Sequence, residues 1–143
     1  MDSEEAMKYL NNYRSSVMLV RMYDQEIEEF RRERNFYPKS AAEFGSGGGF
    51  ASSVEQRYVE QLDRIIEKRT KARFKRVRYA GAIGRAIDSM ENTREALLLT
   101  LYYKEGYTWN EVSEQIGYSV SHIKRLHKVA VNHFAEVFKY GEE

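Results

Sequence analysis

The chain contains no cysteine, which excludes a disulfide framework and a thiolate metal site and is compatible with a reducing cytoplasm. Proline is nearly absent, Pro38 being the only one, and β-branched residues rarely alternate with polar ones, so little favours strands. No apolar run is longer than Ala96 to Leu99, and no basic-then-apolar leader opens the sequence. Neither a membrane-spanning helix nor a secretory signal is therefore expected, and the protein should be soluble and cytoplasmic. An excess of one charge is also missing. A net charge of +1 over 143 residues argues against a polyanion-coating protein of the histone type, so any phosphate-binding surface must come from local concentration of cations.

What is abundant is Glu, Lys, Arg, Ala and Leu, a helix-forming composition. The expected fold class is all-α, and the length permits a small domain of about 50 residues attached to an elongated helical element. Over residues 3 to 36 the apolar side chains Ala6, Leu10, Tyr13, Val17, Val20, Ile27 and Phe30 follow steps of three and four, a single stripe on a helix of about nine turns. The segment 37–53 then brings Pro38 and a Gly-rich tract and reads as a flexible connector.

A second long helix should begin near Ser52, which has capping-box spacing to Glu55. Its seam is Tyr58, Leu62, Ile65, Ala72, Tyr79, Ile83, Ile87 and Met90, with Arg69 and Arg76 in the two skipped heptad positions. Two such helices joined by a connector fold back antiparallel, which predicts a hairpin over 1–91 with Asp24 near Arg69. A back stripe of Val59, Ile66, Thr70, Val77, Gly81 and Gly84 has three readings: packing on the C-terminal domain, homodimerisation, or a kink at the glycines. A third helix should run from the cap Asn92, with Glu95 completing a capping box, to Gly106, its core face formed by Ala96, Leu97, Leu98, Leu101 and Tyr102.

From Thr108 the sequence reads TWNEVSEQIGYSVSHIKRLHK. Thr108 and Glu111 form a capping box, Gly117 ends the short helix, and the next helix starts after Ser119. Val112, Ile116, Ile123 and Leu126 are spaced to meet in a small core, while Ser113 is small where helices cross. This is the pattern of a helix-turn-helix, expected within a domain over 92–143. Its second helix can reach base edges in the major groove of double-stranded DNA. Candidate DNA contacts are Thr108, Ser119, Val120, Ser121, His122, Lys124, Arg125 and Lys128. No acid stands between Glu114 and Glu136, so these cations are not cancelled locally. The alternative is a bundle in which the same turn merely joins packed helices; DNA binding is favoured because small residue, turn glycine, core spacing and basic face coincide.

A second basic run, KRTKARFKRVR at 68–78, divides at helical spacing into two faces. Lys68, Lys71, Lys75 and Arg78 form an outer stripe, solvated or contacting phosphate, whereas Arg69, Arg73 and Arg76 should lie near the seam. His122, His127 and His133 lack metal-site spacing and companions and read as packing or surface residues. Trp109 reads as a core anchor. No catalytic centre assembles, since GSGGG lacks a following Lys and carboxylate pairs such as Glu28 and Glu29 sit on an exposed helix face. Neither an enzyme nor a cofactor is expected.

The segment Thr93 to Val131 resembles the promoter-reading fourth region of bacterial primary-type sigma factors. Arg94, Leu101, Tyr103, Glu105, Gly106, Thr108, Glu111, Gly117, Ser119 and Ile123 stand at its recurrent positions, with Ser113 where alanine is usual. No region that would melt a promoter accompanies it, so a complete sigma factor is not expected. Over nearly its entire length the chain resembles small phage-encoded transcriptional regulators of the RinA and ArpU type. The YLNNYR opening, the paired helices, the Gly-rich connector and the terminal GYSVSHIKRLHK carry that resemblance. It implies a non-enzymatic regulator of phage late genes or a mobile element in a bacterial host. Such a protein would act on DNA as a dimer with recognition helices about 34 Å apart or a multiple. Two other functions stay open: a small terminase-like packaging subunit built as a ring, and a sigma-like module that binds RNA polymerase.

Overall fold

The computed structural model describes the backbone of residues 1–36 and 48–138, and the side chains of these outside 34–52. Its elements are α1 (Ser3–Phe36), α2 (Gly48–Asp88), α3 (Thr93–Leu99), a π-helical turn at Thr100–Lys104, α4 (Trp109–Ile116) and α5 (Val120–Val137). Among the described residues there is no strand, so the class is all-α, and no helix is long and apolar enough to cross a membrane.

The connector expected over 37–53 falls mostly outside the described residues. Its last part is helical, because α2 already begins at Gly48. Ser52 thus stands inside the helix, where it cannot be the cap. Extending a nucleated helix gains one backbone hydrogen bond per residue, which carries it back into the Gly-rich tract.

Contacts divide the chain into two units, Met1–Met18 with Arg73–Glu143, and Leu19–Ala72. In the second, Val20 and Ile27 of α1 and Ala72 of α2 are buried. Phe30 stacks on Tyr58 at 4.7 Å, and the Arg69 guanidinium donates to Asp24 at 3.1 Å. A later residue of α1 meets an earlier one of α2, so the helices pair antiparallel, and the polar interruption of each stripe finds the other. Arg73 beside them is exposed. Ala72 fills the seam position, and the next residue is turned about 100° away from it.

The first unit holds the main core. Ala6, Leu10, Tyr13 and Val17 of α1 and Ile83, Ala86 and Ile87 of α2 enclose, with α3 to α5, the side chains of Leu98, Leu99, Tyr103, Val112, Ile123, Val131 and Phe134. Leu97, expected on the core face of α3, is 43% exposed. Leu98 and Leu99 of α3 and Tyr103 of the π turn face inward instead, and the segment ends at Gly106 with φ +72° in the left-handed region.

Arg14 of α1 holds that turn. Its Nε donates to the Tyr102 carbonyl at 3.0 Å and its Nη2 to that of Tyr107 at 3.1 Å, with the guanidinium 4.2 Å above the Tyr102 ring. The Tyr102 carbonyl belongs to the π turn and that of Tyr107 to the loop after it, and the guanidinium fork is shaped to serve both at once.

Candidate nucleic-acid interface

The interface begins with two caps. Thr108 accepts from the Glu111 amide at 3.2 Å while the Glu111 carboxylate accepts from the Thr108 amide at 3.2 Å, a complete capping box opening α4. At the other end Gly117 has φ +85° and its amide donates to the Ser113 carbonyl at 2.8 Å. Ser113 also donates its hydroxyl to the Tyr118 carbonyl, tying the turn from inside. Ser119 then caps α5, accepting from the His122 amide at 3.2 Å. The chain reverses within three residues, with these backbone groups held by local partners.

Behind this turn Val112 and Ile123 are fully buried, with Ile116 and Leu126 half-buried beside them. Trp109 is half-buried and stacks on Tyr102 at 3.9 Å, with the His127 ring edge-on at 4.9 Å. His127 itself is buried and shares a 2.6 Å hydrogen bond with the Tyr103 hydroxyl; burial pushes its pKa down to about 4, so the ring is neutral at pH 7. The same burial raises the Tyr103 hydroxyl above its ordinary value. The aromatic group is therefore an uncharged brace for α4 and α5.

Outward, Ser121, His122, Lys124, Arg125 and Lys128 are all exposed on the first half of α5, while Val120 is half-buried. Ser121, Lys124, Arg125 and Lys128 follow steps of three, one and three, which puts them on one helix face. Thr108 and Ser119 are exposed too, their hydroxyls engaged in the caps. His122 stacks on Tyr118 at 4.3 Å, and the Arg94 guanidinium lies 5.0 Å from the centre of the same ring. Arg94 thus joins the basic face beside the start of α5. The sequence marked it as a recurrent motif position without giving it a place, since the contact depends on the ring of Tyr118 lying between two helices.

Lys68, Lys71, Lys75 and Arg78 are exposed along α2, with Lys71 in a 3.4 Å pair with Glu67. The α3 cap is only half of the expected box. Asn92 accepts from the Arg94 and Glu95 amides at 3.0 and 3.1 Å, but the Glu95 carboxylate turns inward, 2.6 Å from His133 Nδ1.

Residues 92–134 match the family model described as Sigma-70, region 4. No curated protein and no solved structure matches the chain. Sigma-70 region 4 is a DNA-binding helix-turn-helix domain, and over this segment the chain is similar to it in sequence. The class of protein that fold and site define is a DNA-binding regulator carrying a region 4-like module.

Proposed function

We propose that the chain is a sequence-specific transcriptional regulator of a phage or mobile element, of the RinA and ArpU type. It binds double-stranded DNA at late-gene promoters as a dimer, in the cytoplasm of a bacterial host. It works by binding rather than catalysis, and recruits or obstructs RNA polymerase. The observation that carries the reading is the coincidence of the region 4-like segment with an exposed, uncancelled basic face at the start of α5. Ser121, His122, Lys124 and Arg125 are assigned to base edges or adjacent phosphates, Lys128 and Arg94 to phosphates, and Thr108, Ser119 and Val120 to the backbone beside the turn. Lys68, Lys71, Lys75 and Arg78 are secondary phosphate contacts in this reading.

Immunoprecipitation of bound DNA from the native host tests it. A sharp peak upstream of late genes is expected. A peak at a packaging site together with a ring of eight or more subunits would replace regulation by a terminase-like role.

The region 4 likeness also favours a second reading, because such domains bind RNA polymerase as well as DNA. Replacing Lys124 and Arg125 by alanine without altering affinity for any DNA would move the assignment to that partner.

A further inference from the structure

Tyr118 stands in the turn between α4 and α5, and its backbone has little freedom. Its carbonyl accepts from the Ser113 hydroxyl, Gly117 before it is in the left-handed region, and Ser119 after it caps α5. The ring is half-buried and packs against the main core, so it too is constrained. Two exposed side chains rest on it. The His122 imidazole lies nearly parallel to the ring, with 13° between planes at 4.3 Å, and the Arg94 guanidinium is 5.0 Å from its centre. The negative face of an aromatic ring attracts a guanidinium placed over it. Arg94 comes from the first turn of α3 and His122 from the first turn of α5, so one ring gathers side chains from two helix starts. All of these residues lie in the unit of Met1–Met18 with Arg73–Glu143.

We infer that Tyr118 is a positioning residue of the DNA interface, holding the Arg94 guanidinium and the His122 imidazole ready before DNA arrives. The inference rests on the reading that this face binds duplex DNA. Exposed side chains such as that of Arg94 sample many rotamers, and arresting them at the moment of binding costs affinity. A ring that arrests them in the free protein removes part of that cost. Tyr118 therefore acts on DNA through two other side chains, and its contribution depends on their presence. A tyrosine that served the core alone would contribute equally with or without them.

The stack is tested first without DNA, in the full chain. The carbon-bound protons of the His122 ring should be shifted upfield in proton NMR by the Tyr118 ring. Tyr118→Leu should remove that shift with helicity unchanged by circular dichroism, and Tyr118→Phe should keep it. Tyr118→Met serves the same test where leucine unsettles the fold. Binding is then measured on a duplex that the native chain selects from a random pool. Tyr118→Leu should weaken it about tenfold, as expected when two side chains must each be ordered on binding. Tyr118→Phe should recover native affinity, because the ring and not the hydroxyl does the holding. Arg94→Ala should weaken the native chain severalfold and the Tyr118→Leu chain much less, a coupling that a purely structural role does not produce. An unchanged His122 shift in Tyr118→Leu would overturn the stack and leave the DNA reading standing. Additive losses would overturn the positioning role. Equal losses in Tyr118→Phe and Tyr118→Leu would do the same, by making the hydroxyl a direct contact. A native chain that selects no duplex would overturn the DNA reading and this role with it.

Discussion

His133 Nδ1 lies 2.6 Å from the Glu95 carboxylate, which is buried at 4% side-chain exposure although the histidine is half-exposed. The pair ties the start of α3 to the second half of α5, and thereby fixes the helix that carries the basic face. Hydrogen bonding and charge from Glu95, with smaller contributions from Glu136 and Glu91, raise the His133 pKa. A base with a raised folded pKa contributes stability that is fully present below its unfolded value of about 6.5 and is lost as pH rises through the folded value. Thermal melts of the native chain and of His133→Gln should therefore differ most below pH 6.5 and converge in alkali. A constant difference across that range would contradict the ion pair.

His127 predicts the opposite limb. Its pKa is lowered to about 4 by burial, so the unfolded chain takes up a proton first as pH falls below about 6.5. Stability is full above that value and declines toward pH 4, by on the order of 3 kcal/mol when the ring is forced to protonate. In His127→Gln this part of the acid sensitivity should disappear, leaving a shallower decline in melting temperature between pH 6.5 and 4.

Arg14 yields a test of how α1 supports the C-terminal helices. Its two hydrogen bonds reach carbonyls 88 and 93 positions away in the sequence, and a net contribution of about 1.5–3 kcal/mol is typical of a hydrogen bond to a charged group. Arg14→Ala should cost about 2 kcal/mol in denaturant unfolding. Arg14→Lys should recover less than half, since one ammonium cannot match the fork that spans Tyr102 and Tyr107.

These cases separate what the sequence made legible from what it did not. The α1 stripe from Ala6 to Ile27 could be read because helical period alone decides which side is buried. Asp24 and Arg69 could be paired because each interrupts an otherwise apolar seam. The caps at Thr108, Gly117 and Ser119 are local chemistry within a few residues. By contrast, the π turn at Thr100–Lys104 leaves no signature in a pattern read at 3.6 residues per turn, and the leucine run at 97–99 does not itself say which two side chains face the core. Glu95 has capping-box spacing to Asn92, but a histidine 38 positions away wins its carboxylate. Arg14 sat in a recognised opening segment, yet nothing local indicates which distant carbonyls it serves.

Gly117 is the residue on which the turn geometry most directly depends. Its φ of +85° is in the left-handed region, although a Cβ there would meet no atom within 4 Å. Gly117→Ala should therefore destabilise through backbone strain alone, by about 1–2 kcal/mol. Gly117→Asn should cost less, because asparagine tolerates that region. Equal losses for both would point to side-chain crowding instead.

The cations of α5 give the most specific expectation for DNA. Lys124, Arg125 and Lys128 are exposed on one face, with Arg94 beside the start of α5. Counterion release makes affinity fall with salt at a slope of roughly 0.9 per phosphate neutralised. Replacing Lys128 by alanine should reduce that slope by about 1 and weaken binding to all sequences alike. Arg125→Ala should instead reduce the preference for the specific site, because a residue one turn nearer the start of the helix reaches base edges rather than phosphates; a good bidentate base contact is worth about 1–3 kcal/mol of discrimination. Fluorescence anisotropy with specific and scrambled duplexes, titrated at several salt concentrations, separates the two. If both substitutions lower the slope equally and leave discrimination unchanged, Arg125 is a phosphate contact and sequence is read by Ser121 and His122.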